Sequence, residues 1–481
     1  MTSVLARLRR LPPGPVLIGL SVLGVLLGLR QKLPCNNGHP KPDVGWTHVC
    51  YSDVLALYGG RGLGNGSWPY VQNTTVEYPV LIGLSMALIG LPIHALAVRG
   101  SLDGIAHALG FATVDQGVIF FWETAVVHGL LVVGTTAMLL RLRRDRPGDV
   151  LLWAVGPSVL LAFTVNWDML AVAPAIGALL AWSRGRVVLA GVLIGVGTAA
   201  KLFPVLFLLP LVVLCLRHRT VAARLVAARL VGAAAVTWLV LNLPVALANR
   251  AGWWTPYRFS TERWIDWGTL YYLTDHLTPP LGWHDAVWPF IGSVPHLNRT
   301  SLVVFLLACA GITALILLAP RPPRVAAMAF LVVAAFLLTN KVWSQQFVLW
   351  LVPLAVLARP RRTGLAVWQA VEVAYLFAFL RVVIAGKDDY VLVQTALARY
   401  LAVAVLAALV VAEALRPERD PVRGADLADP DAGPLAPWPP PPRPSAEPEP
   451  EPEVAADAAG SVRPEVVPGD ADLGEHLAQQ G

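Results

Sequence analysis

Charge is scarce in this chain: Asp, Glu, Lys and Arg make up 14% of its 481 residues, against about 25% in an ordinary soluble domain. Cysteine falls to 4 residues, which excludes a disulfide-built scaffold. No polar segment carries clustered basic residues, since the arginines sit in short connections between apolar runs; nucleic acid is therefore excluded as a partner. His, Asp and Glu nowhere gather at metal-ligand spacing, so neither a metal nor another cofactor is expected.

What remains is apolar. Hydrophobic residues reach 56% and the mean hydropathy is +0.60. A water-soluble fold of this length cannot hide so much apolar surface, so a lipid bilayer must solvate it. The expected fold is an all-α polytopic integral membrane protein, because a helix satisfies its own backbone polar groups. Candidate spans lie near 15–32, 118–140, 150–165, 168–183, 187–200, 202–217, 225–248, 301–319, 324–340, 343–358, 364–384 and 392–415, about 12 in all. Several fall short of the ~20 residues a perpendicular helix needs and are expected to tilt or to reach partway.

Arginine sets the orientation. Clusters such as Arg141/Arg143/Arg144/Arg146, Arg217/Arg219/Arg224 and Arg359/Arg361/Arg362 fall on alternate connections, which marks those as cytoplasmic. Both termini are then cytoplasmic, and the number of spans is even. Residues 78–98, interrupted by Pro92, are accordingly read as a juxtamembrane or re-entrant helix on the outer face. Two long outer loops follow, about 33–117 and 249–300. All the lysines (Lys32, Lys41, Lys201, Lys341 and Lys387) lie on the outer side, against the insertion bias. Cys35 and Cys50 share the first outer loop, where oxidising conditions allow them to pair.

From Arg416 onward, 14 acidic residues face 5 arginines, and the alternation Glu447-Pro448-Glu449-Pro450 suits neither helix nor sheet. The expected division is a membrane body over 1–415 and a disordered, proline-rich acidic cytoplasmic tail over 416–481.

Polar residues at helix depth cost roughly 2.5–3.5 kcal/mol each on insertion scales and are functional candidates by default. Asp53 stands in the first loop within Tyr51-Ser52-Asp53-Val54, followed by Glu77-Tyr78-Pro79. Asn166-Trp167-Asp168 makes a tight outer turn, where Asp168 suits either an N-cap or substrate contact. Lys201 occupies a second turn, Ala200-Lys201-Leu202-Phe203-Pro204, and a cation at a helix start suits an anionic group such as phosphate. Arg258, Arg263 and Asp266 stand among the tryptophans and tyrosines of the second loop, and Lys341 and Gln345 in a third tight turn. Those aromatics suit either the lipid headgroup level or stacking on sugar rings.

The run Gly195-Val196-Gly197-Thr198-Ala199-Ala200-Lys201-Leu202-Phe203-Pro204 resembles the most recognisable segment of glycosyltransferase family 87. Glu77-Tyr78-Pro79, Asn166-Trp167-Asp168, Asp266-Trp267-Gly268 and Lys341-Val342-Trp343-Ser344-Gln345-Gln346 follow in that family's order, over roughly 45–360. In the third turn Gln345 replaces the proline of the family's usual Ser-Pro-Gln. The resemblance implies a GT-C-like bundle of about 12 transmembrane helices with a juxtamembrane helix in a long first outer loop. It also implies a catalytic aspartate in that loop, matched by Asp53 with Asp43 in reserve, and a polyprenyl-phosphate sugar donor. The family's characterised members are mannosyltransferases that extend cell-envelope glycolipids. The expected activity is thus inverting transfer of a hexose, mannose on this likeness, to a glycolipid or glycan acceptor outside the plasma membrane. Lys201, Arg258 and Lys341 would stabilise the leaving phosphate, with Asp168, Arg263, Asp266, Glu77, Tyr78 and Gln345 as further substrate contacts. The alternative from another class, a transporter or lipid flippase, requires ionisable groups deep in the spans, where Glu123, His128, Glu372 and Glu413 are the main cases.

Overall fold

The computed structural model describes residues 13–35, 42–71, 76–108, 115–424 and 427–436, with the backbone alone at 42–43 and 105–106. The Asp43 side chain, Lys41 and the acidic stretch 437–481 lie outside the described residues. Every regular element among those described is helical.

Helix α1 is Pro13–Gln31, α2 Asp53–Gly60, α3 Val80–Val98 and α4 Gln116–Leu142. Then come α5 at Met169–Ser183, α6 at Val187–Ala200, α7 at Leu208–Arg217 and α8 at Val221–Ala248. A long connection carries α9 (Arg250–Glu262), α10 (Leu270–Leu277) and α11 (His284–Ile291). The last five are α12 (Val294–Leu318), α13 (Val325–Thr339), α14 (Val348–Ala358), α15 (Arg362–Val383) and α16 (Tyr390–Leu415).

Among the described residues, 7 helices are long and apolar enough to cross a membrane: α1, α3, α4, α8, α12, α15 and α16. Met169–Ser183, Val187–Ala200, Phe203–Arg217, Val325–Thr339 and Gln345–Ala358 are apolar but shorter. The chain is a polytopic membrane protein in outline. The ends of its helices follow the local chemistry: Asp115 caps α4 by accepting from the Val118 amide at 3.0 Å, and Thr220 caps α8 through Ala223 at 3.1 Å.

Two expectations are redrawn. The stretch 150–165 is not one helix but short pieces, Pro147–Val150, Leu151–Ala154 and Pro157–Ala162. Pro157 lacks the amide needed to continue the preceding turn, so it starts a new one. Residues 80–98, by contrast, form a continuous 19-residue helix through Pro92, packed on α4, α6 and α8.

Helix α4 is about 40 Å long at roughly 1.5 Å per residue, so its ends define two faces. Gln116 begins it beside Tyr58, whose hydroxyl donates to the Gln116 side chain at 3.0 Å. Arg143 follows its other end.

At the Arg143 end lies the main departure from the expected tail. Residues 416–424 and 427–436, read from composition as disordered, fold back onto the helix ends. Arg143 and Arg324 are 3% and 1% exposed, and their carboxylate partners come from this segment. Arg143 donates to both oxygens of Asp431 at 3.1 and 3.0 Å and to the Leu357 carbonyl at 2.6 Å. Arg324 donates to Asp420 at 2.7 Å and to the carbonyls of Leu357 and Ala358. The Asp429 carboxylate accepts from the Val325 amide at 2.9 Å, at the start of α13. Leu435 is buried in the core beside α5 and α8. Gly433, with φ +58°, lies so close to the Trp182 carbonyl that a Cβ would stand 2.0 Å from its oxygen. Composition averaged over 66 residues hides this, because the Glu-Pro alternation begins only at Glu447.

Removing one partner of a buried ion pair costs about 3–5 kcal/mol, since the other charge stays buried. Ending the chain after Leu415 is therefore expected to lower the thermal midpoint of the detergent-solubilised protein sharply. Ending it after Ala436, which keeps these pairs, is expected to leave the midpoint within a few degrees of the full chain.

Candidate active site

The site is built where the first loop is fastened to the turn before α5. The disulfide Cys35–Cys50 closes the start of that loop, with the two Cα atoms 5.3 Å apart. The buried Lys32 ammonium donates to the carbonyls of Val49 and Tyr51, fixing the backbone just before Asp53. Ser52 then donates to the Thr164 carbonyl at 2.8 Å, and the Asp53 amide to the Val165 carbonyl at 2.8 Å. Two residues far apart in sequence, Asp53 and Asn166, are thereby forced together.

Asp53 opens α2, and its carboxylate is held from several sides. Oδ1 accepts from the Tyr51 hydroxyl at 2.8 Å. Oδ2 accepts from Asn166 Nδ2 at 2.6 Å and from the Tyr78 hydroxyl at 3.4 Å. Burial first, and the neighbouring Asp53 charge second, push the Tyr51 phenol above its ordinary range, so it stays a donor.

Asp168 occupies the position before α5 but caps nothing with its side chain. Its fully buried carboxylate instead accepts from Lys201 Nζ at 3.0 Å and from Trp350 Nε1 at 2.7 Å. Lys201 ends α6, and its ammonium also faces the rings of Tyr78 and Phe347, 5.7 and 5.4 Å from their centroids, within cation–π reach. Phe347 and Phe203 stack on Trp350 at 3.9 and 4.4 Å. Tyr78 is the link: its hydroxyl touches Asp53 and its ring faces Lys201.

The second loop supplies a neighbouring group. Asp266 accepts from Ser344 at 3.3 Å and from the Trp267 amide at 3.1 Å, with Arg263 at 3.6 Å. Burial raises the Asp266 carboxyl above its ordinary range, opposed by the Arg263 charge. Tyr51 and Trp267, the residue after Asp266, both pack edge-on against the Phe379 ring at 5.9 and 6.5 Å, which brings this group near Asp53. Gly268 turns the chain here at φ +73°, where a Cβ would stand 2.6 Å from the Tyr375 hydroxyl. Lys341 donates to the carbonyls of Thr261 and Arg263 at 3.2 and 2.7 Å. Burial, and secondarily Arg263, lower its ammonium to about 8. Beneath the loop, Arg399 pairs with Glu372 at 2.9 Å and donates to the carbonyls of Trp343 and Ser344 at 3.0 and 3.3 Å.

Three expected residues stand apart. Arg258 is exposed and pairs with Glu262 on its own helix at 3.2 Å, because the side of α9 that carries it faces outward. Glu77 is held bidentately by Arg61, at 2.6 and 2.5 Å, which leaves it a structural partner. Gln345 is buried and lines a small cavity with Ser158 and Glu372. Residue-type reasoning passed over Asn166, Tyr51 and Trp350 as site members, although Asn166 belongs to the same tight turn as Asp168. Arg61 gave no signal in sequence.

Asp168→Asn is expected to cost about 3–5 kcal/mol, by leaving Lys201 buried without its counter-charge. Replacing both members, Asp168→Asn with Lys201→Met, is expected to recover most of that loss in a thermal melt.

No curated protein matches the chain. The model of glycosyltransferase family 87 matches residues 109–340, a narrower stretch than the motifs suggested, with Asp53, Glu77 and Tyr78 before it and Lys341 and Gln345 after it. The match takes in the Asn166–Asp168 turn, Lys201 and the second loop, and with the apolar helices it makes this chain, in outline, a membrane glycosyltransferase resembling family 87 over residues 109–340.

Proposed function

We propose that the protein moves a hexose, mannose by the family likeness, from a polyprenyl-phosphate donor to a glycolipid or glycan acceptor with inversion at the anomeric carbon. The acceptor oxygen attacks that carbon as Asp53 takes the hydroxyl proton. The bond from carbon to the phosphate oxygen breaks, and the electron pair leaves with the lipid phosphate. Such a leaving group is already weakly basic, so it needs charge stabilisation more than a proton. Lys201 supplies that charge, with Arg263 and Lys341 reinforcing it from the second loop; Arg258 is not part of the site. The pocket opens to the outside of the plasma membrane, with both termini cytoplasmic and the lipid tail of the donor kept in the bilayer. The bundle that carries it is GT-C-like, with about 12 spans.

The observation that supports this reading is a carboxylate and an ammonium on either side of one tyrosine. Tyr78 has its hydroxyl 3.4 Å from Asp53 and its ring 5.7 Å from Lys201. A transporter draws less support, because Glu372 and Glu413 are each committed to an arginine, at 2.9 Å in both cases. His128 bonds the Phe163 carbonyl at 3.1 Å.

The test is transfer from polyprenyl-phosphate-mannose by purified protein. Asp53→Asn is expected to lose ~10²–10⁴-fold in rate, the usual contribution of a general base; an unimpaired Asp53→Asn would remove the assignment. Because Lys341 loses its proton near pH 8, KM for the donor is expected to rise as pH passes about 8. In Lys341→Met that step should disappear, whereas an unchanged step would show that another group titrates.

A further inference from the structure

Asn166 is 1% exposed, yet both polar atoms of its side chain are engaged in the site. Its Oδ1 accepts from the Trp167 amide at 2.7 Å. That contact fixes which way the amide faces, because a backbone N–H can only meet the oxygen. The nitrogen must then point at Asp53, and its two protons go to Asp53 Oδ2 at 2.6 Å and to the Tyr78 hydroxyl at 2.7 Å. The arrangement leaves no freedom for the carboxylate to rotate.

An ionised carboxylate offers about four lone-pair positions. Three are filled here: one on Oδ1 by Tyr51, two on Oδ2 by Asn166 and Tyr78. One position remains, on Oδ1. Asp53 is only partly buried, and among the described residues nothing occupies that position.

We infer that Asn166 is the positioning residue for the base: it locks Oδ2 in hydrogen bonds so that the one free lone pair, on Oδ1, meets the acceptor hydroxyl. The inference rests on Asp53 acting as the base. Asn166 touches neither the reacting carbon nor the phosphate in this scheme; it acts through the carboxylate. Of the other titratable groups facing Asp53, Tyr51 and Tyr78 are donors, and Asp168 beyond Asn166 is paired with Lys201.

The experiment compares Asn166→Ala and Asn166→Asp, each alone and with Asp53→Asn, by kcat, KM and pH profile. Asn166→Ala is expected to lose ~10²-fold in kcat, as misplacement of a catalytic group by about 1 Å can cost, with KM for the donor little changed. Asn166→Asp is nearly isosteric and keeps the fold testable. It sets a second carboxylate against Oδ2, so the two must share a proton, and the acid limb of kcat should move up by about one pH unit or more. In the Asp53→Asn background neither change should lower the residual rate further. An unmoved acid limb in Asn166→Asp, or a loss in Asn166→Ala that persists when Asp53 is already Asn, overturns the positioning role and leaves the base assignment standing. Full activity in Asp53→Asn removes the base and its positioning together.

Discussion

The pairing of polar groups at the ends of apolar helices is the constraint on which this structure depends. A buried charge or amide without a partner is costly, so those at the site take theirs from different parts of the chain. The tight turn Asn166-Trp167-Asp168 meets that demand twice over. Asn166 reaches back to Asp53 in the first loop, while Asp168 reaches forward to Lys201 and across to Trp350. Three helix ends and the first loop are thereby held at one point, and the candidate site is what stands there.

The same rule operates at the other end of α4 with a different outcome. Arg143 and Arg324 are as deeply buried as Asp168, but their bonds go to Asp431, Asp420 and backbone carbonyls, with Arg143 Nε left without a partner. Those pairs close the helix ends under residues 416–424 and 427–436. At the Asp53 end, hydrogen-bonding capacity is left over: an open lone pair on Asp53 and an ammonium that gives one bond to a carboxylate while facing two aromatic rings. Spare capacity at a partly open position, not the presence of charge, separates the candidate site from structural pairing.

That distinction explains what could be read from sequence. The membrane character followed from composition alone. Asp53, Asp168 and Lys201 stood out because each interrupts or bounds an apolar run, and tight turns leave a side chain few places to go. That Cys35 and Cys50 could pair was legible from their shared loop; the bond itself is seen in the fold. What was hidden depends on separation along the chain. Arg143 meets Asp431 across 288 positions, and nothing local to either residue tells a docked aspartate from a solvated one. Arg258 and Lys201 are both cations near aromatics in sequence, yet one lies on the outward side of α9 and the other at a buried helix end. Helical phase in an irregular loop is set by packing, and no short motif encodes it.

The second loop shows how positioning is shared between elements that touch no substrate in the proposed scheme. Arg399 on α16 and Glu372 on α15 are buried together, and the guanidinium spends its remaining donors on the carbonyls of Trp343 and Ser344. Ser344 then donates to Asp266, whose own amide bonds the Lys341 carbonyl. Glu372, one of the deep ionisable groups that a transporter would require, is in place half of the ion pair beneath a turn. Around this loop the buried ion pair fixes the backbone of the turn, and that turn holds Asp266.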